Sequence, residues 1–314
     1  MIFLHSLPDA KALFEAVAHE RQVLPNIVEK DYWLMHCIWS LQQQGFKFEL
    51  KGGTSLSKGF GIIERFSEDI DIQIHPGPGQ DVKIGKNQDK PSHIQSRKDF
   101  FENIAKNLSI PDMTSRRDTL FDDAVKMRGF GIRVEYSSFF STLSSLKEGV
   151  VLELGFDQTT PNLSCDISSW AFKKIEPMKL NNIIDNQAKK VPCYCPEYTF
   201  VEKLQTVSTK YRLQQENKTM PVNFLRHYYD LYKLLQNDRV LNFIGTQEYL
   251  DHKERRFRSG DETDLTKNLA FILPDPTVRA LYSEEFEKKS SIYFEKQPKF
   301  EDVLNYIRPH LEKL

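Results

Sequence analysis

The stretch Lys51-Gly-Gly-Thr-Ser-Leu-Ser-Lys-Gly-Phe-Gly-Ile-Ile-Glu-Arg-Phe-Ser-Glu-Asp-Ile-Asp-Ile-Gln-Ile74 decides the reading of this chain. Its last six residues alternate strictly, with Ile70, Ile72 and Ile74 on one side of a strand and Asp69, Asp71 and Gln73 on the other. Period two brings the Asp69 and Asp71 carboxylates to the same side, roughly 6.5–7 Å apart at Cα. Like charges that close repel, so the pair makes sense when a cation offsets them, and oxygen ligands of this kind suit one or two Mg²⁺ ions. An isolated Asp-x-Asp usually marks a solvated strand face, and an isolated Gly-Gly a turn. Here the two occur together, with an apolar opposite face, which favours the functional reading.

Upstream, Phe46–Leu50 alternates as a short strand and runs into Lys51, Gly52, Gly53, Thr54 and Ser55. Glycines followed by hydroxyl residues and a helix start let backbone N–H groups approach phosphate oxygens. Thr54 or Ser55 is the expected N-cap of a helix through Leu56. Residues 10–44 read as helix, stopped by Gly45. The polar, turn-rich 76–96 segment reads as a long mobile loop with Lys83, Lys86 and Lys90. Helical signal resumes near 97–108. Residues 131–137 and 150–156 are two further strand candidates joined by a Ser-rich connection, and 157–190 reads as a polar stretch. Helical stripes return over 197–215 (Phe200, Leu204, Val207, Tyr211) and 222–236 (Leu225, Tyr228, Leu231, Tyr232, Leu235). The expected architecture is α+β: a small mixed sheet flanked by helices over 1–190, then a mostly helical region over 191–314.

Composition bounds the function. The 314 residues carry a formal charge of -1 with 12% aromatics, which excludes a disordered chain and any basic tail for nucleic acid. Apolar runs fall far short of the roughly 18 residues that span a bilayer. Asp9 and Lys11 interrupt the N-terminal apolar residues too early for a signal peptide. The expected setting is cytoplasmic, without a membrane. Cys193 and Cys195 read as two buried thiols, since no second pair supplies zinc-finger spacing.

The motifs together resemble those of polymerase-beta-type nucleotidyltransferases, and within them the AbiEii/AbiGii toxin family of type IV toxin–antitoxin and abortive-infection (phage-defence) systems. The resemblance rests on Gly52-Gly53-Thr54-Ser55 with Arg65-Phe66-Ser67-Glu68-Asp69-Ile70-Asp71. It extends to Glu29-Lys30-Asp31-Tyr32, to Pro196–Leu204 and to Arg226-His227-Tyr228-Tyr229-Asp230-Leu231. It implies a nucleotidyltransferase core over 1–190, completed by the helical region. By that resemblance, Gly52, Gly53, Thr54 and Ser55 cradle the triphosphate of an NTP substrate, and Asp69 and Asp71 bind Mg²⁺. Lys203 then neutralises triphosphate charge, and Asp230 is a further catalytic residue.

Arg65 either reaches the triphosphate or braces Glu68 or Asp69, and Lys58 either holds phosphate or solvates the surface. Glu153 is the candidate third metal carboxylate, with Glu135 the runner-up. Lys203 has a plain alternative as a snorkelling lysine, and Asp230 as the partner of an i,i+4 ion pair. The implied acceptor is RNA, with the tRNA 3′ end leading, and the implied partner is a cognate antitoxin. The basic cluster Lys253, Arg255, Arg256 and Arg258 is a candidate RNA contact, although a solvated helix face explains it as well. Two other functions fit the same residues: a non-catalytic nucleotide or RNA sensor, and nucleotide transfer to a protein hydroxyl.

Overall fold

In the computed structural model, which describes residues 1–141, 147–288, 293–294 and 296–314, the chain forms two compact units. The first comprises Met1–Gly59 and Phe66–Tyr194; the second comprises Phe60–Arg65 and Cys195–Leu314. Part of the Ser-rich connection expected after the first strand candidate, 142–146, lies outside the described residues.

The first unit is built on a seven-stranded mixed sheet, larger than the small sheet expected. Its strands are β1 (Lys47–Leu50), β2 (Asp69–His75), β3 (Met113–Arg117), β4 (Gly129–Tyr136), β5 (Val150–Gly155), β6 (Asn162–Ile167) and β7 (Ala188–Tyr194), in the order β3-β4-β5-β2-β1-β7-β6. The β2–β5 and β1–β7 pairs are parallel and the rest antiparallel. Ile70, Ile72 and Ile74 are buried, as their alternation predicts, among Phe130, Ile132, Leu152 and Leu154.

The single helix expected over 10–44 is two helices, α1 (Ala10–Arg21) and α2 (Pro25–Gln43). Gln22 takes a left-handed conformation (φ 56°), and Pro25, which lacks an N–H to donate, opens α2 at its first turn. The turn after β1 also departs from expectation. Gly52–Thr54 forms one helical turn and Ser55–Gly59 a π-type turn, with Lys51 at the N-cap position and no side-chain cap. Neither the Thr54 nor the Ser55 hydroxyl caps these turns because both are committed elsewhere.

Helix α3 (Pro91–Asn107) begins earlier than its apolar pattern suggests, again with proline in the first turn. The preceding loop, expected to be long and polar, is anchored by two arginines. The buried Arg97 donates to the carbonyls of Lys83 (2.5 Å) and Gln88 (2.7 Å), and Arg128 donates to those of Ile84 and Gly85. The polar 157–190 stretch holds β6, a short helix α4 (Trp170–Ile175) and the start of β7.

The second unit is helical: α5 (Pro196–Asn217), α6 (Arg226–Leu234), α7 (Asp238–Phe243), α8 (Gln247–Arg256), α9 (Pro276–Glu287) and α10 (Phe300–Ile307), with a short Leu269–Ile272 turn. Its core is aromatic, with Tyr228 against Phe224, Phe271, Tyr282 and Phe300, and the Tyr228 hydroxyl donating to the Ala270 carbonyl at 2.7 Å. The 60–65 segment belongs here because its backbone is held by this unit. Phe294 N–H donates to the Glu64 carbonyl, and Glu64 N–H to the Tyr229 hydroxyl. No helix among the described residues is long and apolar enough to cross a membrane.

Candidate active site

Strand β2 presents Asp69 and Asp71 two residues apart, hence on one face of the sheet. Asp69 is almost wholly buried; Asp71 is partly open. The parallel register sets Asp71 beside Glu153 of β5, so the Glu153 side chain leaves the same face. Glu135 lies elsewhere, paired with Arg116 at 2.9 Å. Gly52 closes over the Asp71 carboxylate at a positive φ of 61°, with no room for a Cβ.

The donor set fits a hard divalent cation. Asp69 Oδ1 is buried and has no hydrogen-bond partner among the described residues, an unsatisfied oxygen ligand that a cation would suit. Among the described residues no three carboxylate, imidazole or thiol groups converge as a formed metal cluster. Glu153 is therefore a neighbour of the pair on the adjacent strand and not a formed third ligand. The other Asp69 oxygen, Oδ2, is bound by the Lys147 ammonium. Lys147 carried no motif signal, since it lies in an unpatterned connection.

The hydroxyls expected to cradle phosphate face inward. Thr54 Oγ1 donates to the Asp69 carbonyl at 2.6 Å and Ser55 Oγ to the Tyr194 carbonyl at 3.0 Å, and neither side chain reaches solvent. What they do is tie the glycine turn to β2 and β7. Gly53 is buried in the same turn. Lys58 turns to the protein: its ammonium is bound to Asp31, donates to the Ser168 carbonyl and lies over the Trp170 ring. Burial lowers its pKa, and Asp31 acts against that shift.

The Glu29-Lys30-Asp31-Tyr32 run is a buried turn of α2 that fastens loops to the sheet. Glu29 accepts from the Ser138 hydroxyl (2.6 Å) and the Phe139 N–H (2.9 Å). Asp31 accepts from Trp170 N–H (2.8 Å), and the Tyr32 hydroxyl is bonded to His5 and Asn186. Lys30 donates to the Lys147 carbonyl (2.5 Å) and lies 3.9 Å from Glu68. Burial lowers its pKa to about 8, against the pull of Glu68 and Asp69.

In the second unit, Lys203 of α5 meets Asp230 of α6 at 2.9 Å, and Arg65 pairs with the same carboxylate. Asp230 and Arg65 are both out of water, and the Lys203 side chain bound to Asp230 retains slight exposure. Of the partners expected for Arg65, the structure places its guanidinium on Asp230, which was expected as a catalytic residue in its own right. Burial alone would raise the Asp230 carboxyl, but the Arg65 and Lys203 charges more than offset it and hold it well below the usual carboxylate range. His227, 3.4 Å from the Lys203 ammonium, is kept neutral by burial and by the surrounding cations. In the basic cluster, Lys253 is bound to the Leu314 carbonyl and Arg256 lies 3.4 Å from Glu202.

Two solved structures align with the chain over most of its length. The crystal structure of an antigenic nucleotidyltransferase-like protein from Paracoccidioides brasiliensis is 14% identical, covers 77% of this chain and 86% of its own, and superposes with a TM-score of 0.34. Terminal uridylyl transferase 4 from Trypanosoma brucei with bound UPU is 10% identical, covers 96% and 95%, and has a TM-score of 0.27. Superpositions this loose carry no functional argument. No curated protein matches. The family model described as nucleotidyl transferase AbiEii toxin, type IV TA system, matches residues 33–306, nearly the whole chain and all the motifs above except Glu29–Tyr32. The chain therefore belongs to the AbiEii toxin family of type IV toxin–antitoxin systems and is a nucleotidyltransferase.

Proposed function

We propose that this nucleotidyltransferase moves a nucleoside monophosphate from an NTP to the 3′ end of tRNA in the cytoplasm, stops translation by doing so, and is held in check by a cognate antitoxin. The observation that carries the reading is the β2 carboxylate pair, one of its oxygens buried and unmatched, beside a glycine turn.

Asp69 and Asp71 would hold Mg²⁺, with Glu153 beside them as the candidate for a further ligand. A divalent ion so bound supplies Lewis-acid polarisation of the acceptor hydroxyl and charge for the leaving pyrophosphate. The chain's own residues do the rest. Thr54 and Ser55 lock the turn, so that Gly52 and Gly53 offer phosphate a backbone without side chains in the way. Lys203 contributes a point charge for the triphosphate, and Asp230, clamped by Arg65, restricts where that charge sits. Nucleotidyl transfer develops negative charge on the leaving group, which gives a fixed cation more effect than a mobile one.

The test is purified protein with Mg²⁺ and each labelled NTP, with bulk tRNA as acceptor. Label should enter tRNA, and Asp71→Ala should abolish it. Label confined to protein would replace the acceptor with a protein hydroxyl; no label with any acceptor would leave a sensor.

A further inference from the structure

Lys147 holds a position that the transfer reaction does not by itself require. Its ammonium is bound to Asp69 Oδ2 and lies 4.8 Å above the Phe121 ring. Its backbone is gripped from both sides: the N–H donates to Glu68 Oε1 at 2.8 Å, and the carbonyl accepts from Lys30 Nζ at 2.5 Å. Both gripping side chains are buried. The main chain is thus fixed beside the carboxylate pair, while the side chain keeps 28% exposure and its flexible four-carbon stem.

We propose that Lys147 is the resident counter-ion of the Asp69–Asp71 pair, and that a divalent metal loads by displacing its ammonium from Asp69. This rests on reading Asp69 and Asp71 as metal ligands. Charge supports an exchange. Two acids on one strand face repel, and a single ammonium offsets only one of them, whereas a divalent ion offsets both. Coordination supports it as well, because Lys147 satisfies Oδ2 and leaves the buried Oδ1 unmatched.

The displaced ammonium also has somewhere to go. Lys147 lines a cavity of 280 Å³ with Glu29 and Glu135, and another of 330 Å³ with Asp118. Glu148 lines both. The first cavity sets Glu29, Glu135 and Glu148 against Lys30, whereas the second also carries Arg116 and Arg133, so the first is the more acidic refuge for the displaced ammonium. The lysine keeps the metal-free carboxylates from destabilising the sheet, at the cost of weaker metal affinity.

The experiment is calorimetric titration with MnCl₂, in the absence of nucleotide, of the full chain and of Lys147→Met. The Met variant should bind Mn²⁺ roughly tenfold tighter, the scale of one removed charge contact at a part-buried site. Metal-free, it should melt below the native protein, and saturating Mn²⁺ should raise its midpoint by more than it raises that of the native protein. In an Asp69→Asn background the same substitution should leave the metal-free midpoint unchanged, a result that lost packing alone would not give. Equal or weaker Mn²⁺ binding by a folded Lys147→Met overturns the counter-ion proposal and leaves the metal reading standing. Mn²⁺ binding by neither protein overturns both. Should the Met variant not fold, Lys147→Arg decides: a bidentate guanidinium should hold Asp69 more firmly and weaken Mn²⁺ binding, and unchanged affinity counts against exchange.

Discussion

Gly52 packs directly on Asp71: a Cβ at position 52 would collide with the Asp71 carboxylate, and the residue sits at a φ of 61° besides. Gly52→Ala should therefore displace that carboxylate. Activity should fall by about a hundredfold, as for an ångström-scale misplacement of a reacting group. The left-handed backbone should add a stability cost of about 1–2 kcal/mol. Steady-state nucleotide transfer beside urea denaturation checks both, and a fully active Gly52→Ala would show that the Asp71 position does not matter.

Arg65 donates to Asp230 twice, Nε to Oδ1 at 2.6 Å and Nη2 to Oδ2 at 2.7 Å, with both side chains excluded from water. Arg65→Met would leave the carboxylate with Lys203 as its remaining cationic partner of the two. A loss of about 3–5 kcal/mol is expected in urea denaturation, the cost of breaking a buried pair from one side. Arg65→Lys should recover only part of it, because an ammonium cannot reproduce the fork. A loss below about 1 kcal/mol for Arg65→Met would contradict the positioning role.

The same cluster makes stability fall on acidification. His227 stays neutral in the native protein well below its ordinary value of 6.5. The unfolded chain takes up that proton near pH 6.5 while the native chain does not, so stability declines as pH drops below 6.5. Asp230, whose pKa is depressed, contributes fully above the ordinary carboxylate value of 3.8 and loses its contribution as pH falls through that value and below. His227→Gln should flatten the upper limb by up to one proton's worth of slope, about 1.4 kcal/mol per pH unit, and leave the acid limb in place. Denaturation midpoints collected from pH 7 to about pH 4 would show whether the upper limb responds.

Thr54→Val separates bracing from phosphate contact. The change takes the shorter of two donors from the Asp69 carbonyl and leaves Ser67 Oγ at 3.4 Å, so about 0.5–1.5 kcal/mol of stability should go. KM for NTP should move little, because the hydroxyl is already bonded inside the fold. A large rise in KM with unchanged stability would place the hydroxyl on the substrate instead.

Much of this was legible in the sequence, and for physical reasons. The strand of Asp69 and Asp71 has one apolar and one polar face, so its alternation is explicit, and α5 and α6 announce themselves through one-sided apolar stripes. Strands β3 and β6 lie at the two edges of the sheet; β3 carries mostly exposed polar side chains, and the short alternation of β6, Asn162–Ile167, is hidden inside a polar stretch. Strand β7 is obscured by Lys189 and Lys190, the latter at a positive φ of 54°, and its pairing with β6 is bulged. The roles of Arg65, Lys58 and Lys147 depend on partners 165, 27 and 78 residues away, separations that no local pattern encodes. Family resemblance supplied the motifs; only the geometry showed that Asp230 and Thr54 are buried and bonded within the fold.

Mass analysis of tRNA 3′ ends after incubation with each NTP and Mg²⁺ tests the central claim most directly. The account predicts that at least one NTP lengthens the 3′ end by whole nucleoside monophosphate units, and that Asp71→Ala leaves the tRNA mass unchanged. Unaltered 3′ ends with all four NTPs, or extension that survives Asp71→Ala, would contradict it.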